Sequence, residues 1–196
     1  MFEDIYRFQK KYAAENKVPV MLDDSMAILQ ETVRRARPKK ILEIGTAIGY
    51  SGIKMLEQAD CATLTTVDKD ADRLDVAREC FKKAGLADRV TIWEGDSDEI
   101  VRYASGKFDF IMLDGPKGQY ARYLPYLKEL LSEGGVLFAD DVTFKCKTGE
   151  DFNPLHKLRT ISVQLKVFLD ELTNDKDFET TLYDVGDGVS VSVKKG

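Results

Sequence analysis

The chain has 196 residues, 43% of them hydrophobic and 32% charged, with a formal net charge of −5. That length suits one domain with a sizeable core, and the acidic balance excludes a broadly basic nucleic-acid binder while leaving room for a local basic patch. No apolar run reaches membrane-spanning length, Met1-Phe2-Glu3-Asp4 lacks the basic and apolar regions of a signal peptide, and Cys61, Cys80 and Cys146 form no Cys-x-x-Cys spacing, so a cytoplasmic location with reduced thiols is expected.

Residues 2–14 carry Phe2, Ile5, Tyr6, Phe8, Tyr12 and Ala13 at helical spacing, and Glu15-Asn16-Lys17 ends the run. This helix either packs on the main domain or borders a substrate site or a dimer contact. Val18-Pro19-Val20 is an extended link. Asp23-Asp24-Ser25 offers an N-cap to a second helix running to Arg37, with Met26, Ile28, Leu29 and Val33 on its apolar side, and Pro38 stops it. Arg34, Arg35, Arg37, Lys39 and Lys40 then form a basic cluster, ordinarily a solvated face. Residues 1–37 thus read as a helical cap on an α/β core spanning 38–196.

The core opens on Ile41-Leu42-Glu43-Ile44-Gly45-Thr46-Ala47-Ile48-Gly49-Tyr50-Ser51. An apolar run breaks at Gly45, and a helical pattern follows Gly49: strand, glycine turn, helix. Gly45 permits a sharp turn at the strand end, and Gly49 permits close approach to the helix start, where free N–H groups favour an anion. An ordinary tight βα turn reads the same way. The spacing is Gly-x-x-x-Gly, not the Gly-x-Gly-x-x-Gly of pyrophosphate-binding enzymes, which disfavours a dehydrogenase. The next strand, Thr63–Val67, ends in Asp68, and an acid there can accept both hydroxyls of a ribose. A nucleoside-bearing ligand without a pyrophosphate fits both details, and S-adenosylmethionine (SAM) is the obvious one.

Residues 70–85 form a helix stopped by Gly85. Val90–Glu94 is a third strand leading into Gly95-Asp96-Ser97; Asp96 can accept from an adenine amino group and Ser97 can cap the following helix over 97–104, or both simply cap it. Phe108–Leu113 is a fourth strand with Asp114 at its end, and a helix runs from Tyr120 through Leu131. Gly134-Gly135 opens a fifth strand ending in Asp140-Asp141. A polar loop over 142–154 holds Lys145, Cys146 and Lys147. His156, the only histidine, enters a helix running to about Leu172. Phe178–Val185 and Gly188–Lys195 form a hairpin across Gly186-Asp187-Gly188. The alternation predicts a doubly wound, Rossmann-like, seven-stranded and mostly parallel sheet with an antiparallel C-terminal hairpin. Tips four and five would lie roughly 5 Å apart, so Asp114, Asp140 and Asp141 can share one hard cation such as Mg²⁺ or Mn²⁺, unless each merely caps a helix.

These residues resemble the class I, SAM-dependent and metal-dependent O-methyltransferases of the catechol and caffeoyl-CoA type, from about Val18 to the C-terminus. In that family Asp-x-x-Lys-x-x-Tyr supplies a metal ligand and a lysine near the reacting hydroxyl; here it reads Asp114-Gly115-Pro116-Lys117-Gly118-Gln119-Tyr120. The family's Asp-Asn at tip five reads Asp140-Asp141, a departure that adds one negative charge. The resemblance implies a catalytic pair of Lys117 and Asp114, metal ligands Asp114, Asp140 and Asp141, and a SAM site drawn from Glu43, Gly45, Gly49, Ser51, Asp68, Asp96, Ser97 and Asp114. A homodimer is expected. A narrower likeness, through Ile41–Ser51, Asp114–Tyr120, Arg159-Thr160-Ile161, Phe178-Glu179-Thr180-Thr181 and Gly186-Asp187-Gly188, is to bacterial enzymes that methylate 5-hydroxyuridine at the tRNA wobble position. The basic residues Arg34 to Lys40, together with Lys145, Lys147, Lys157 and Arg159, would then meet the anticodon loop. The alternative acceptor is a small catechol-like phenol, with Asp184 near the place of a substrate-binding acid. A rival from another class is a SAM-binding module without catalysis.

Overall fold

Period-two alternation along the first strand sets the architecture. In β1 (Lys40–Ile44), Ile41 joins one hydrophobic cluster while Leu42 and Ile44 join another on the opposite face. The computed structural model describes residues 2–143 and 156–196. Lys145, Cys146 and Lys147 lie outside the described residues, as do the side chains of Lys157 and Arg159. The other strands are β2 (Thr63–Asp68), β3 (Val90–Glu94), β4 (Phe108–Leu113), β5 (Leu131–Asp140), β6 (Phe178–Tyr183) and β7 (Val189–Lys194). They form one seven-stranded sheet in the order β3-β2-β1-β4-β5-β7-β6. The first five pair in parallel, and β7 runs antiparallel between β5 and β6. The sequence expectation for the fold is met.

Helices α1 (Phe2–Asn16), α2 (Asp23–Ala36), α3 (Tyr50–Gln58) and α4 (Ala71–Lys83) cover one face, through Tyr6, Leu29, Ile53 and Phe81. Helices α5 (Ser97–Tyr103), α6 (Tyr120–Leu130) and α7 (His156–Asn174) cover the other, through Val101, Leu127 and Phe168. Each such fully buried side chain contributes roughly 1.5–3 kcal/mol, which is why the apolar faces and not the caps fix where helices dock. Among the described residues no helix is long and apolar enough to cross a membrane.

Two local expectations are corrected. The Asp23-Asp24-Ser25 cap does not form: Leu22 is the N-cap residue, and no side chain caps α2. Ser25 instead turns inward, 1% exposed, with its hydroxyl on Asp140. Strand β5 begins at Leu131, before the glycine pair. A register shift between Phe108 and Phe110 absorbs Gly134, whose φ of +73° lies in the left-handed region.

Candidate active site

The C-terminal ends of β1 to β5 open onto one cavity of about 430 Å³. Gly45, Asp68, Ser97, Asp114, Lys117, Asp140 and Asp141 all line it. The chain from Pro19 to Leu22, Asp187 of the β6–β7 turn, Lys69, Arg73 and Ala47 also line it.

Gly45 is required by its neighbour. It sits at φ +108°, and an added Cβ would lie 2.2 Å from the Asp114 carbonyl oxygen. Tips one and four therefore pack backbone to backbone. The next turn closes with Gly49 N–H donating to the Thr46 carbonyl at 2.8 Å. Ala47 within it is left-handed, at φ +43°, and its N–H donates to Asp68 Oδ2 at 2.8 Å. The other Asp68 oxygen accepts the Lys69 and Asp70 N–H groups. Three donors on a carboxylate with about four acceptor positions leave about one open toward the cavity. Gly49 faces protein: a Cβ there would meet the Phe81 ring at 3.0 Å. Its glycine serves the packing of α3 on α4, a contact the spacing alone did not disclose.

At the third tip, Asp96 caps α5 by accepting from Asp98 N–H at 2.9 Å, and Lys69 pairs with it at 3.3 Å. The Asp98 amide is the main reason its carboxyl is held below the usual range. Asp96 is absent from the cavity wall. Ser97 is on it, with its hydroxyl 3.0 Å from Tyr123 Oη.

The acids of tips four and five converge. One carboxylate oxygen each from Asp114, Asp140 and Asp141 lies within 4.8 Å of the others. Asp140 is 3% exposed, and its Oδ1 is buried without a partner among the described residues. Burial, then the neighbouring Asp141 charge, pushes Asp140 up to about 6. Burial also raises Asp114, to about 8, with Asp140 and Asp141 adding to the effect and Lys117 opposing it. A partly buried, mutually repelling oxygen set with an orphaned carboxylate oxygen suits a hard divalent cation. Asp141 adopts φ +55°, a left-handed conformation that Asp and Asn both tolerate. The Asp found where the family pattern has Asn therefore changes charge, not backbone. Lys117 Nζ lies 2.5 Å from Asp141 and 3.7 Å from Asp114. Burial pulls its ammonium down, but the three acids outweigh this and hold it above its ordinary value.

Tyr120 does more than complete a motif. Fully buried against Phe168, its hydroxyl lies 3.2 Å from both the Leu113 and Asp140 carbonyls, tying tips four and five together. Asp187, not Asp184, is the hairpin acid on the wall; its carbonyl accepts from the Thr143 amide and hydroxyl. The cluster from Arg34 to Lys40 is elsewhere. Lys40 begins β1 and the cavity lies past its end, roughly 15 Å along the strand, with Arg34 and Arg35 paired to Glu31.

Glu43 and Ser51 lie behind the cavity wall. Ser51 Oγ donates to Glu43 Oε1 at 2.5 Å, and Thr66 Oγ to Oε2 at 2.6 Å, with Thr46 Oγ 2.6 Å beyond. Burial outweighs these bonds and pushes Glu43 up from 4.5 to about 7. Between those values the folded state holds more protons than the unfolded chain. The group's contribution to stability is therefore full below 4.5 and is lost as pH rises through 7. Glu43→Gln removes that loss, on the order of 3 kcal/mol. Thermal melts are expected to show the variant losing less stability than wild type between about pH 5 and 8. Parallel curves would mean that Glu43 does not titrate in the fold.

The O-methyltransferase family model matches residues 2–195. The chain is 34% identical to the catechol O-methyltransferase of Sus scrofa over 133 residues, covering 64% of this chain and 70% of that one. It is also 34% identical to O-methyltransferase hkm8 of Aspergillus hancockii over 113 residues, 56% of this chain but 45% of that protein's length. Among solved structures, an SAH-bound Podospora anserina methyltransferase superposes with a TM-score of 0.80 at 28% identity, covering 98% of this chain and 87% of that one. A seven-stranded sheet with acids and glycine at its strand tips, matched end to end by one family model, gives one conclusion: the chain belongs to the O-methyltransferase family.

Proposed function

We propose that this protein is a SAM-dependent, divalent-cation-dependent O-methyltransferase acting on a hydroxyl flanked by a second oxygen. The observation that carries the reading is the convergence of Asp114, Asp140, Asp141 and Lys117 on the cavity that Gly45, Asp68 and Ser97 also line. The cofactor reading is supported by the SAH-bound relative. SAM supplies an electrophilic methyl group. Toward it this chain offers the Gly45 backbone, one acceptor position on Asp68 and the Ser97 hydroxyl. A cation such as Mg²⁺ held by Asp114, Asp140 and Asp141 would supply Lewis acidity, lowering the acceptor hydroxyl's pKa. Lys117 brings a partly buried positive charge to the same place. Held protonated by the three acids, it is suited to stabilise an acceptor oxyanion more than to abstract a proton. The remaining contribution is positioning.

The favoured acceptor is 5-hydroxyuridine at the tRNA wobble position, whose 5-hydroxyl adjoins the 4-carbonyl oxygen. The motif likeness over Ile41–Ser51 and Asp114–Tyr120 supports it. The basic cluster from Arg34 to Lys40 does not, being at the other end of the sheet. The alternative is a catechol-like phenol, favoured by the Sus scrofa relative. Mass spectrometry of tRNA nucleosides from a strain lacking the gene decides between them. Loss of 5-methoxyuridine with accumulation of 5-hydroxyuridine is expected. An unchanged profile with brisk, salt-insensitive methylation of catechols would move the assignment to the phenol.

A further inference from the structure

The turn Thr46–Gly49 carries a left-handed alanine, a conformation a non-glycine residue holds only where its surroundings over-determine it. Inside the core, Thr46 N–H donates to the Val67 carbonyl and Ala47 N–H to Asp68. The far side of the turn is held from α1. Gln9, 0% exposed, donates its Nε2–H to the Ile48 carbonyl at 2.8 Å across 39 residues of sequence. Ile48 is itself fully buried, in a cluster with Ala13 and Val18, and Val20 and Ala47 pack against that cluster. Val20 and Ala47 also line the cavity.

We propose that Gln9 is a positioning residue for the cofactor loop, fixing the Thr46–Gly49 turn through Ile48 so that the cavity wall is formed before a ligand arrives. This rests on the SAM reading above. Packing of α1 alone does not account for the side chain. The amide also faces the Cys80 thiol of α4, a weak partner, but its Oε1 is buried with no hydrogen-bond partner among the described residues, so an apolar residue there would spare an unsatisfied acceptor. A position chosen only for helix docking has no use for that cost. The amide's donor, by contrast, ends on a turn whose Ala47 lines the cavity.

The test is calorimetry with S-adenosylhomocysteine on Gln9→Met and Gln9→Leu, which keep the volume and remove the donor. The thermal midpoint of at least one is expected within a few degrees of wild type, with affinity roughly tenfold weaker and kcat at saturating SAM within about twofold. Gln9→Glu, whose buried carboxyl is held protonated and can donate to Ile48, is expected to restore most of the affinity. Tyr6→Phe is the control: it cuts the 2.8 Å bond from α1 to Glu57 and leaves Gln9 alone, so it should lower the thermal midpoint without changing affinity. Unchanged affinity in a folded Gln9→Met or Gln9→Leu protein, or an equal loss in Tyr6→Phe, would overturn the proposal. Failure of wild type to bind S-adenosylhomocysteine would instead sink the cofactor reading on which it rests.

Discussion

Asp140→Asn is expected to lower methyl transfer by roughly 10²–10³-fold while leaving the cation-free protein more stable than wild type. The two effects have one cause. Asp140 is almost wholly buried, one of its oxygens has no partner among the described residues, and Asp114 and Asp141 lie beside it. Without a cation its charge is a liability, because burial and repulsion both disfavour the ionised form. The amide keeps the shape and can still meet the Ser25 hydroxyl, but it removes the charge that would hold a divalent ion. Activity measured against added Mg²⁺, with melts in chelator, checks both halves. A variant with wild-type activity and wild-type metal requirement would remove Asp140 from the site. The expected gain in stability is the trade-off of a site that keeps like charges together for function.

Lys117→Met should shift stability the other way. Transfer is expected to fall by roughly 10²–10³-fold, the range for losing one oxyanion-stabilising group. The cation-free protein is expected to lose about 1–3 kcal/mol, because the acids then face one another without a counter-charge. Lys117, Asp114 and Asp141 are each less than a third exposed, so solvent does little to screen the loss. Added Mg²⁺ should recover most of the stability and none of the transfer. S-adenosylhomocysteine affinity should stay unchanged, since Lys117 sits at tip four while Asp68 and Ser97 sit at tips two and three. Recovery of transfer by Mg²⁺ alone would show that Lys117 serves only as a counter-charge.

The parallel sheet and its tips were legible because they are written locally. Apolar runs of strand length, glycines at their ends and single acids at the tips repeat along the chain, and the sheet order brings Asp114 and Asp140 together with no further information. Contacts set by tertiary packing were not legible. Ser25 reads as a helix cap until α2 docks and turns it onto Asp140. Gly49 reads as a ligand contact until Phe81 of α4 arrives against it. Nothing in the first helix's apolar spacing singles out Gln9, and only the 39-residue separation closed by folding reveals its bond to Ile48. The Arg34 to Lys40 cluster looks close to the site because Gly45 follows it by five residues. A strand runs straight, however, so those five residues carry the chain to the opposite end of the sheet.

The most direct test is transfer of a labelled methyl group from SAM to 5-hydroxyuridine-containing tRNA and to catechols, with the protein first stripped by chelation and then given Mg²⁺ or Mn²⁺. The expected result is no transfer to either acceptor after stripping and restored transfer to one of them on adding the cation. Full transfer in excess chelator, with no metal detectable by elemental analysis, would contradict the assignment of Asp114, Asp140 and Asp141 as a catalytic cation site.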